Sequence, residues 1–327
     1  MAYAYRTRLR HRGEAPMSAV DTLAAPRRLL VTGGSGFVGR YVEAAVRAGD
    51  FGACELHAPP HGWDIRDIDA VQRFVEHVRP DAVLHLAAQS FVPRSFENPR
   101  ETFEINTLGT LNLLQALKRV EFGGRFLFVS SGDVYGQVAE SDMPVTEQLM
   151  PAPRNPYAVS KFAAEQLCLQ WQRSEGLDAI VLRPFNHVGP GQGRQFVLPA
   201  LASQVVAIAQ GRQAPVIEAG DIDTTRDFTD VRDIVAAYAA ALRDGVSGSL
   251  YLIASGVERK VRDLLEAMCR IEGVEVEVRQ DPTKLRRAEQ RRMVGSSRAL
   301  HDATGWAPRI PMDQTLQDIL IDQRNNS

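Results

Sequence analysis

A glycine-rich turn at residues 32–39 constrains the fold more than any other feature of the sequence. An apolar run at residues 29–31 precedes it and predicts a buried strand, while the helical periodicity of residues 37–48 predicts a helix after it. Glycines recur at every third position of the turn, at Gly33, Gly36 and Gly39. Between a strand and a helix, such glycines permit a tight turn, let backbone approach a pyrophosphate and let the helix pack closely. The sequence therefore predicts a dinucleotide-binding unit with the anion at the helix N-terminus.

Downstream of this unit, short apolar runs alternate with longer helical periods as far as residue 184. Further strands are predicted to end at Leu56 and to span residues 82–86, 126–129 and 180–182. Further helices are predicted over residues 70–78, 101–118 and 157–171. This alternation predicts an α/β fold, a Rossmann-type doubly wound parallel sheet whose ligands bind at the carboxyl edge of the strands.

The alternation breaks beyond residue 184, and Gly and Pro crowd residues 189–193. A helix over 231–243 and a strand over 250–253 are expected to return to the large sheet, and the other segments to form a smaller mixed lid. We therefore predict an NAD(P)-binding domain over residues 26–185 and about 228–254. The smaller C-terminal substrate-binding domain would comprise about 186–227 and 255–327.

The first 25 residues differ from the rest of the chain. They carry four arginines, a proline and a second methionine without apolar periodicity: Arg6, Arg8, Arg10, Arg12, Pro16 and Met17. A basic binding arm and a targeting peptide are alternatives. A disordered tail, or a start codon placed too early, explains the pattern more simply, so we leave residues 1–25 out of the fold prediction.

Composition excludes several classes of protein. The 327 residues suffice for one large domain or two modest ones that share a cleft, and 44% hydrophobic and 24% charged residues are ordinary for a globular chain. A formal net charge of -2 provides no basic field for nucleic acid or an anionic membrane. Cys54, Cys168 and Cys269 form no CxxC pair, and neither a signal peptide nor an apolar run of roughly 20 residues is present. We expect a cytoplasmic protein with free thiols, no metal site, and no nucleic-acid or membrane partner.

The choice between NADPH and NADH is less sharply encoded. Folds that prefer NAD usually place a carboxylate about 20 residues beyond the turn to hold the ribose 2′-hydroxyl, and this chain has Leu-His-Ala-Pro at 56–59. Arg40 follows the last glycine and is a candidate partner for a 2′-phosphate, which favours NADPH and leaves NADH as the alternative. Asp64, followed by Ile65, is a candidate adenine contact or alternatively a helix cap. The candidate cofactor contacts in the turn are Gly33, Ser35, Gly36, Phe37, Val38, Gly39 and Arg40.

A second motif, YAVSK, places Tyr157 and Lys161 one helical turn apart on one face, after a helix start at Asn155. A free tyrosine has a pKa of about 10, and a neighbouring ammonium or a cationic nicotinamide favours its phenolate. In reduction, the protonated phenol gives its proton to a developing alkoxide. Ser131 follows the strand at 126–129, so its hydroxyl is expected to reach the same carbonyl oxygen. The sequence predicts a catalytic set of Ser131, Tyr157 and Lys161.

Together with the glycine turn, the motifs SSGDVYG (130–136), YAVSK (157–161) and RDFTDVRD (226–233) resemble the extended short-chain dehydrogenase/reductase family. More specific segments are NPYAVSK (155–161), RPFNHVGPGQ (183–192), GDID (220–223) and RRAEQRR (286–292). These resemble members of the family that reduce GDP-linked 4-keto-6-deoxy sugars. The likeness covers nearly everything from residue 28 onward.

The resemblance implies roles for further residues. Asn186 and Arg226 would contact a nucleotide-sugar, Arg226 near the diphosphate, while Arg286 and Glu289 would hold phosphate and ribose hydroxyls. An Arg fork suits pyrophosphate oxygens and a carboxylate suits paired hydroxyls. The positions expected along the cofactor–substrate cleft are Leu86, Ala87, Ala88, Ser90, Asn106, Ser131, Gly132 and Asp133. Two of these assignments have alternatives, since residues 284–292 suit a solvated or nucleic-acid-facing run and Asn106 suits a buried amide that fastens its helix.

Three reactions compete within the resemblance. A 4,6-dehydratase needs a carboxylate pair after the hydroxyl residue, but Gly132 and the shorter Asp133 follow Ser131. An epimerase–reductase uses a cysteine and a histidine, whose places are taken by Asp133 and Phe196. A simple reductase remains, and the resemblance implies reduction of the 4-keto group of GDP-4-dehydro-6-deoxy-D-mannose to GDP-D-rhamnose by hydride transfer from NAD(P)H. The alternatives are a dehydratase or epimerase of this family, or a non-catalytic NADP(H)-binding regulator.

The helices predicted over 101–118 and 157–171 have wide apolar faces. In the family such a pair builds a four-helix seam, so the resemblance implies a homodimer. The alternative is that both helices only cover the sheet.

Overall fold

The fold is given by a computed structural model, which describes residues 27–282 and 290–326. The predicted tail at 1–25, Arg286 and Glu289 lie outside the described residues. Eleven strands occur in the described part: β1 (Arg28–Thr32), β2 (Glu55–His57), β3 (Ala82–His85), β4 (Arg125–Val129), β5 (Asp178–Pro184), β6 (Asn186–Val188), β7 (Val216–Ala219), β8 (Thr225–Asp230), β9 (Leu250–Ile253), β10 (Glu258–Lys260) and β11 (Glu277–Gln280). The α-helices of the same part are α1 (Phe37–Ala48), α2 (Ile68–Val78), α3 (Val92–Glu97), α4 (Pro99–Phe103), α5 (Gly109–Arg119), α6 (Pro156–Glu175), α7 (Val197–Ala209), α8 (Val231–Asp244), α9 (Val261–Glu272), α10 (Arg298–Thr304) and α11 (Met312–Asn325).

The large sheet has the strand order β2-β1-β3-β4-β5-β9, and every pair in it is parallel. The predicted doubly wound α/β fold is therefore confirmed. Its strand order reverses between β1 and β3, so the crevice for a ligand opens above the carboxyl ends of these two strands. The glycine turn follows β1 directly and thus stands at that crevice.

Helix boundaries follow local capping signals that the sequence contains. Asp67 accepts hydrogen bonds from the backbone N–H groups of Asp69 and Ala70 and starts α2. Asn155 accepts from the N–H of Ala158 at 2.7 Å and starts α6, with Pro156 as the first helical residue. The Asn155 cap and Pro156 thus determine where α6 begins, and therefore the face of the helix on which Tyr157 lies.

The single helix predicted over residues 101–118 is instead interrupted. A π-helical segment, Glu104–Leu108, separates α4 from α5. Asn106 lies in this segment and its side-chain amide bonds across to residues outside the helix, which accounts for the widened turn. The predicted apolar face is broken at this segment, where Leu108 is 51% exposed while Leu114 and Leu117 farther along are buried.

Two small sheets lie outside the large one, with orders β10-β8-β6 and β11-β7. Helices α7, α9 and α11 pack around a separate apolar core that includes Leu201, Leu265 and Leu316. Helix α8 and strand β9 contribute to the core of the large sheet, and so does α10 through Leu300. We propose these two cores as the centres of the two domains, with α10 belonging to the first. No helix in the described ranges combines the length and apolar character needed to cross a membrane.

Candidate active site

The glycine turn has the close contacts that its spacing predicts. Gly33 adopts a positive φ of 74°, and a Cβ built there would stand 2.8 Å from the backbone nitrogen of Ala87. A Cβ on Gly39 would lie 2.3 Å from the carbonyl oxygen of Gly34. Gly36 caps α1 in an extended conformation without a side-chain partner. The first turn of α1 can therefore receive an anion at its backbone N–H groups, as a bound dinucleotide requires.

Two neighbouring cavities of about 1670 Å³ and 790 Å³ open over the carboxyl edge of the large sheet. They form one cleft, because Gly33, Ser35, Ala87 and Ala88 line both. The smaller cavity contains the segment between β2 and α2, including Asp64 and Ile65. Of the predicted site residues, the larger cavity is lined by Gly33, Ser35, Gly36, Phe37, Val38, Gly39, Leu86, Ala87, Ala88, Ser90, Ser131, Gly132, Asp133, Tyr157, Lys161, Asn186 and Arg226. Most of the predicted site thus converges on one cleft.

Arg40 lies outside the lining of both cavities. Its guanidinium donates to the carbonyl oxygen of Gly191 at 2.9 Å, which ties α1 to the loop after β6. This geometry does not support the predicted contact between Arg40 and a 2′-phosphate. The sequence position of Arg40 just after the turn does not reveal this, because it does not show that the side chain points away from the crevice.

Ser131 and Tyr157 approach each other within the cleft. Ser131 caps a short 3₁₀ turn, Gly132–Tyr135, and its Oγ accepts from the N–H of Asp133 at 3.2 Å. The pKa of Tyr157 is raised, first by burial and then by the charge of Asp133, while a hydrogen bond with Ser131 acts in the opposite direction. Removal from water is the largest of these causes, so the net shift is upward, opposite to the lowering that the motif predicts. Tyr157 is kept as a protonated phenol, the form that can donate a proton.

Lys161 is almost completely buried one turn after Tyr157. Its Nζ lies 4.4 Å from the centroid of the Phe128 ring. Burial lowers its pKa to about 8, partly offset by the Cys168 thiol and the Glu165 carboxylate. Lys161 therefore remains charged near neutrality but close to its titration point.

A buried histidine fixes the crevice behind the turn. His85 Nδ1 lies 2.6 Å from Thr32 Oγ1, and its Nε2 lies 2.9 Å from Thr110 Oγ1. Thr110 donates its own proton to the carbonyl of Asn106 at 2.7 Å, so it accepts from Nε2–H, and Nδ1 accepts from Thr32. Thr32 in turn accepts from the N–H of Ala87 at 3.2 Å. Burial lowers the pKa of His85 to about 3, so this neutral chain joins the ends of β1 and β3.

Asn106 is a fastening amide behind the cleft rather than a residue along it. Its Oδ1 accepts from the N–H of Gln89 at 2.8 Å, while Nδ2 donates to the carbonyl of Gln89 at 3.0 Å and to Ser160 Oγ at 2.9 Å. It lines neither cavity. Of the two sequence-based interpretations, the structure agrees with the buried amide.

Phe196 lines the larger cavity, and its ring packs edge-on against Phe91 with centroids 6.4 Å apart. No proton-transferring side chain stands at this position. Among the described residues, no group of His, Cys, Asp or Glu has the arrangement needed for a metal ion.

Sequence reasoning missed several residues that line the cleft. His187 lies in its wall, with its ring parallel to that of Phe37 at 6.3 Å. Arg66 and Arg94 line the smaller cavity, each paired with a carboxylate, Asp64 and Glu101 respectively. His187 stands inside the RPFNHVGPGQ segment and could have been flagged from it. The two arginines lack any comparable signal, because they come from loops and short helices.

The sheet topology, the glycine turn and the Ser–Tyr–Lys arrangement define an oxidoreductase of the short-chain dehydrogenase/reductase type. The chain belongs to the family described as GDP-mannose 4,6 dehydratase, whose model matches residues 54–319. The resemblance found in the sequence is thereby confirmed.

Three relatives place the chain within this group. It is 51% identical over 302 residues to GDP-6-deoxy-D-mannose reductase of Pseudomonas aeruginosa, covering 90% of this chain and 97% of that protein. A structure of the P. aeruginosa RMD complexed with NADPH is 50% identical and superposes with a TM-score of 0.87, covering 92% of this chain and 100% of that one. UDP-glucose 4-epimerase of Thermus thermophilus, in complex with NAD, is 31% identical with a TM-score of 0.80 and the same coverage, 92% and 100%.

Proposed function

We propose that this chain reduces the 4-keto group of GDP-4-dehydro-6-deoxy-D-mannose to give GDP-D-rhamnose, with NADPH as the reductant. The observation that carries the proposal is the hydroxyl pair of Ser131 and Tyr157, with Lys161 one turn away, in the cleft that also contains the glycine turn. The 51% identity to a GDP-6-deoxy-D-mannose reductase supports the choice of substrate.

The mechanism follows from the protonation states of these side chains. NADPH, when bound, supplies the hydride that reduces C4 of the sugar. Ser131 and Tyr157 donate hydrogen bonds to the keto oxygen, which polarises the carbonyl. As the π electrons of the carbonyl move to oxygen, Tyr157 transfers its phenolic proton to it. Lys161, charged below about pH 8, stabilises the phenolate that remains on Tyr157.

The residues of the cleft fit a reduction better than the related reactions. Position 132 is a glycine, so Asp133 has no second carboxylate beside it. A Cβ built on Gly132 would lie 3.1 Å from the Phe185 ring, which would confine a longer side chain there. Phe196, at the position where an epimerase–reductase would carry its histidine, cannot transfer a proton. Position 132 therefore supplies no carboxylate and position 196 no proton-transferring group, and a simple hydride transfer needs neither.

The adenosine end supports NADPH, with NADH as the alternative. The segment after β2 that enters the smaller cavity begins Pro59, Pro60, His61 and contains no carboxylate before Asp64. Both oxygens of Asp64 accept from Arg66, at distances of 2.5 to 3.0 Å. We therefore expect the site to tolerate a 2′-phosphate, as the relative solved with NADPH does.

We also propose a cytoplasmic homodimer that binds neither nucleic acid nor membrane. The three cysteines are free thiols, which supports a reducing compartment. Leu108, beside α5, and Val159, on α6, are 51% and 38% exposed, which supports burial of this helical face against a second copy. Sedimentation of the wild-type chain and of Leu108→Glu tests the dimer, which the substitution should dissociate.

The experiment that tests the proposed reaction is a substrate screen. GDP-, dTDP- and UDP-linked 4-keto-6-deoxy sugars are each offered with NADPH and with NADH, and products are identified by NMR. We expect turnover of the GDP-linked sugar with NADPH, giving GDP-D-rhamnose and no 3,5-epimerised product. Turnover confined to a dTDP- or UDP-linked sugar would refute the assignment. So would the absence of any turnover by protein that is shown to be folded.

A further inference from the structure

A fully buried carboxylate, Glu165, lies on α6 one turn beyond Lys161. Arg183 of β5 donates to it through two nitrogens, Nε to Oε1 at 3.0 Å and Nη2 to Oε2 at 2.6 Å. The Arg183 side chain is 3% exposed and the Glu165 side chain 0%. Neither residue lines the cleft, so neither can touch a ligand there.

The contacts of this pair lead to every segment that carries the proposed catalytic set. Ser130, the neighbour of Ser131 at the end of β4, forms a hydrogen bond with Glu165 Oε1. Arg183 Nη1 donates to the hydroxyl of Tyr135 at 2.8 Å, and its guanidinium lies 4.9 Å from the centroid of that ring. Tyr135 closes the 3₁₀ turn that begins at Gly132. Glu165 itself belongs to the helix of Tyr157 and Lys161.

A gain in stability is a weak explanation for an ion pair in this place. Taking two charges out of water is costly, and well-packed apolar residues of similar volume commonly serve a core as well or better. A bidentate Arg–carboxylate pair does provide defined geometry, because its planar groups meet in one orientation. The pair therefore suits a role in fixing distances between β4, β5 and α6.

We infer that Glu165 is a positioning residue. It holds the ends of β4 and β5 against α6, so that Ser131 and Lys161 lie at the correct distances from the substrate. The inference rests on the proposed reductase activity. It assigns a function to a residue that touches neither cofactor nor substrate.

Charge gives Glu165 a second effect on the site. Lys161 faces Glu165 and Cys168 on its own helix and His85 from β3. Burial raises the pKa of the Cys168 thiol and lowers that of His85, so both are neutral near pH 7. Glu165 is then the charged group among these three, and it favours the protonated form of Lys161.

The test compares two double substitutions, each of which removes an ion pair that includes a residue of β5. Glu165→Met with Arg183→Met replaces the buried pair by apolar side chains of similar length, which should preserve folding. The matched control is Arg125→Met with Asp178→Met, which removes the pair at the opposite ends of β4 and β5, with Nε and Oδ2 3.0 Å apart. Thermal melting and NADPH affinity are measured for both, followed by kcat and KM with the GDP-linked keto-sugar.

We expect the Glu165/Arg183 double variant to bind NADPH as the wild type does but to lose about 10- to 100-fold in kcat, the scale of a small misplacement of reacting groups. The control should keep its kcat. The single variant Glu165→Gln should move the alkaline limit of kcat/KM to lower pH, because Lys161 loses its anionic neighbour. A role in stability alone would move melting in both double variants and leave the pH profile in place.

Full kcat in a folded Glu165/Arg183 double variant would overturn the inference while leaving the reductase assignment intact. If the double variant does not fold, Tyr135→Phe decides the question, because it removes the hydrogen bond from Arg183, keeps the ion pair and changes a residue that lines neither cavity. A lowered kcat at unchanged NADPH affinity in Tyr135→Phe supports positioning, and an unchanged kcat contradicts it. A wild-type protein that reduces none of the screened sugars would refute the proposed function itself.

Discussion

Removal of one oxygen atom tests the role of the phenol. In Tyr157→Phe the ring remains in its buried place on α6, and only the hydroxyl that meets Ser131 is lost. The glycine turn and Lys161 are unchanged, so NADPH should bind with nearly wild-type affinity. The keto oxygen, however, no longer receives a proton from the protein.

The size of the effect follows from what that proton contributes. A positioned general acid is typically worth about 10²–10⁴ in rate. At about 1.4 kcal/mol for each factor of ten, this is a rise of about 3 to 6 kcal/mol in the activation barrier. Loss of a single hydrogen bond should cost folding only about 0.5–1.5 kcal/mol. The variant is therefore expected to be folded, to bind NADPH and to be almost inactive.

The assay measures single-turnover oxidation of bound NADPH by the keto-sugar, beside NADPH affinity from fluorescence titration. Tyr41→Phe is the matched control, because the Tyr41 hydroxyl donates to the carbonyl of Pro190 at 2.8 Å and the residue lines neither cavity. We expect the control to retain its activity. A Tyr157→Phe variant with a rate within about threefold of wild type would refute general acid catalysis by this residue, since even the low end of the usual range is about 100-fold.

Two further predictions concern pH and the turn. The kcat/KM for reduction should fall as the pH rises through about 8, because Lys161 loses its proton there while the raised pKa of Tyr157 keeps the phenol protonated. A flat pH profile up to pH 10 would contradict the role of Lys161. The Lys161→Met variant serves as the reference. Gly39→Ala should weaken NADPH binding at least about tenfold, because a Cβ 2.3 Å from the Gly34 carbonyl oxygen forces the turn to shift. Gly123→Ala is the comparison for folding, since Gly123 has no positive φ and nothing lies within 4 Å of a Cβ built there, and unchanged NADPH affinity in Gly39→Ala would contradict the prediction.

The sequence predicted the large sheet because its signals are local. The buried runs of β1, β3 and β4 and the cap at Asn155 each act within a few residues of the element that they specify. The convergence of Ser131, Tyr157 and the glycine turn also follows from topology, since parallel strands end at one edge.

What the sequence did not reveal depends on contacts between distant residues. The π-helical segment arises because Asn106 bonds to Gln89 and Ser160, and Arg40 turns away from the crevice to reach Gly191. The raised pKa of Tyr157 comes first from burial and then from the charge of Asp133, and the motif alone does not show that burial. Interactions of this kind are set by tertiary packing, and a spacing pattern does not contain them.

The most direct test of the account follows one isotope. NADPH carrying two deuterium atoms at C4 of the nicotinamide is offered with GDP-4-dehydro-6-deoxy-D-mannose in ordinary water, and the sugar product is examined by NMR. Hydride transfer to the ketone, with the proton supplied by Tyr157, predicts deuterium at C4 of GDP-D-rhamnose and none at C3 or C5. A product without deuterium at C4, or no product from folded wild-type protein, would contradict the claim that the cleft reduces this sugar.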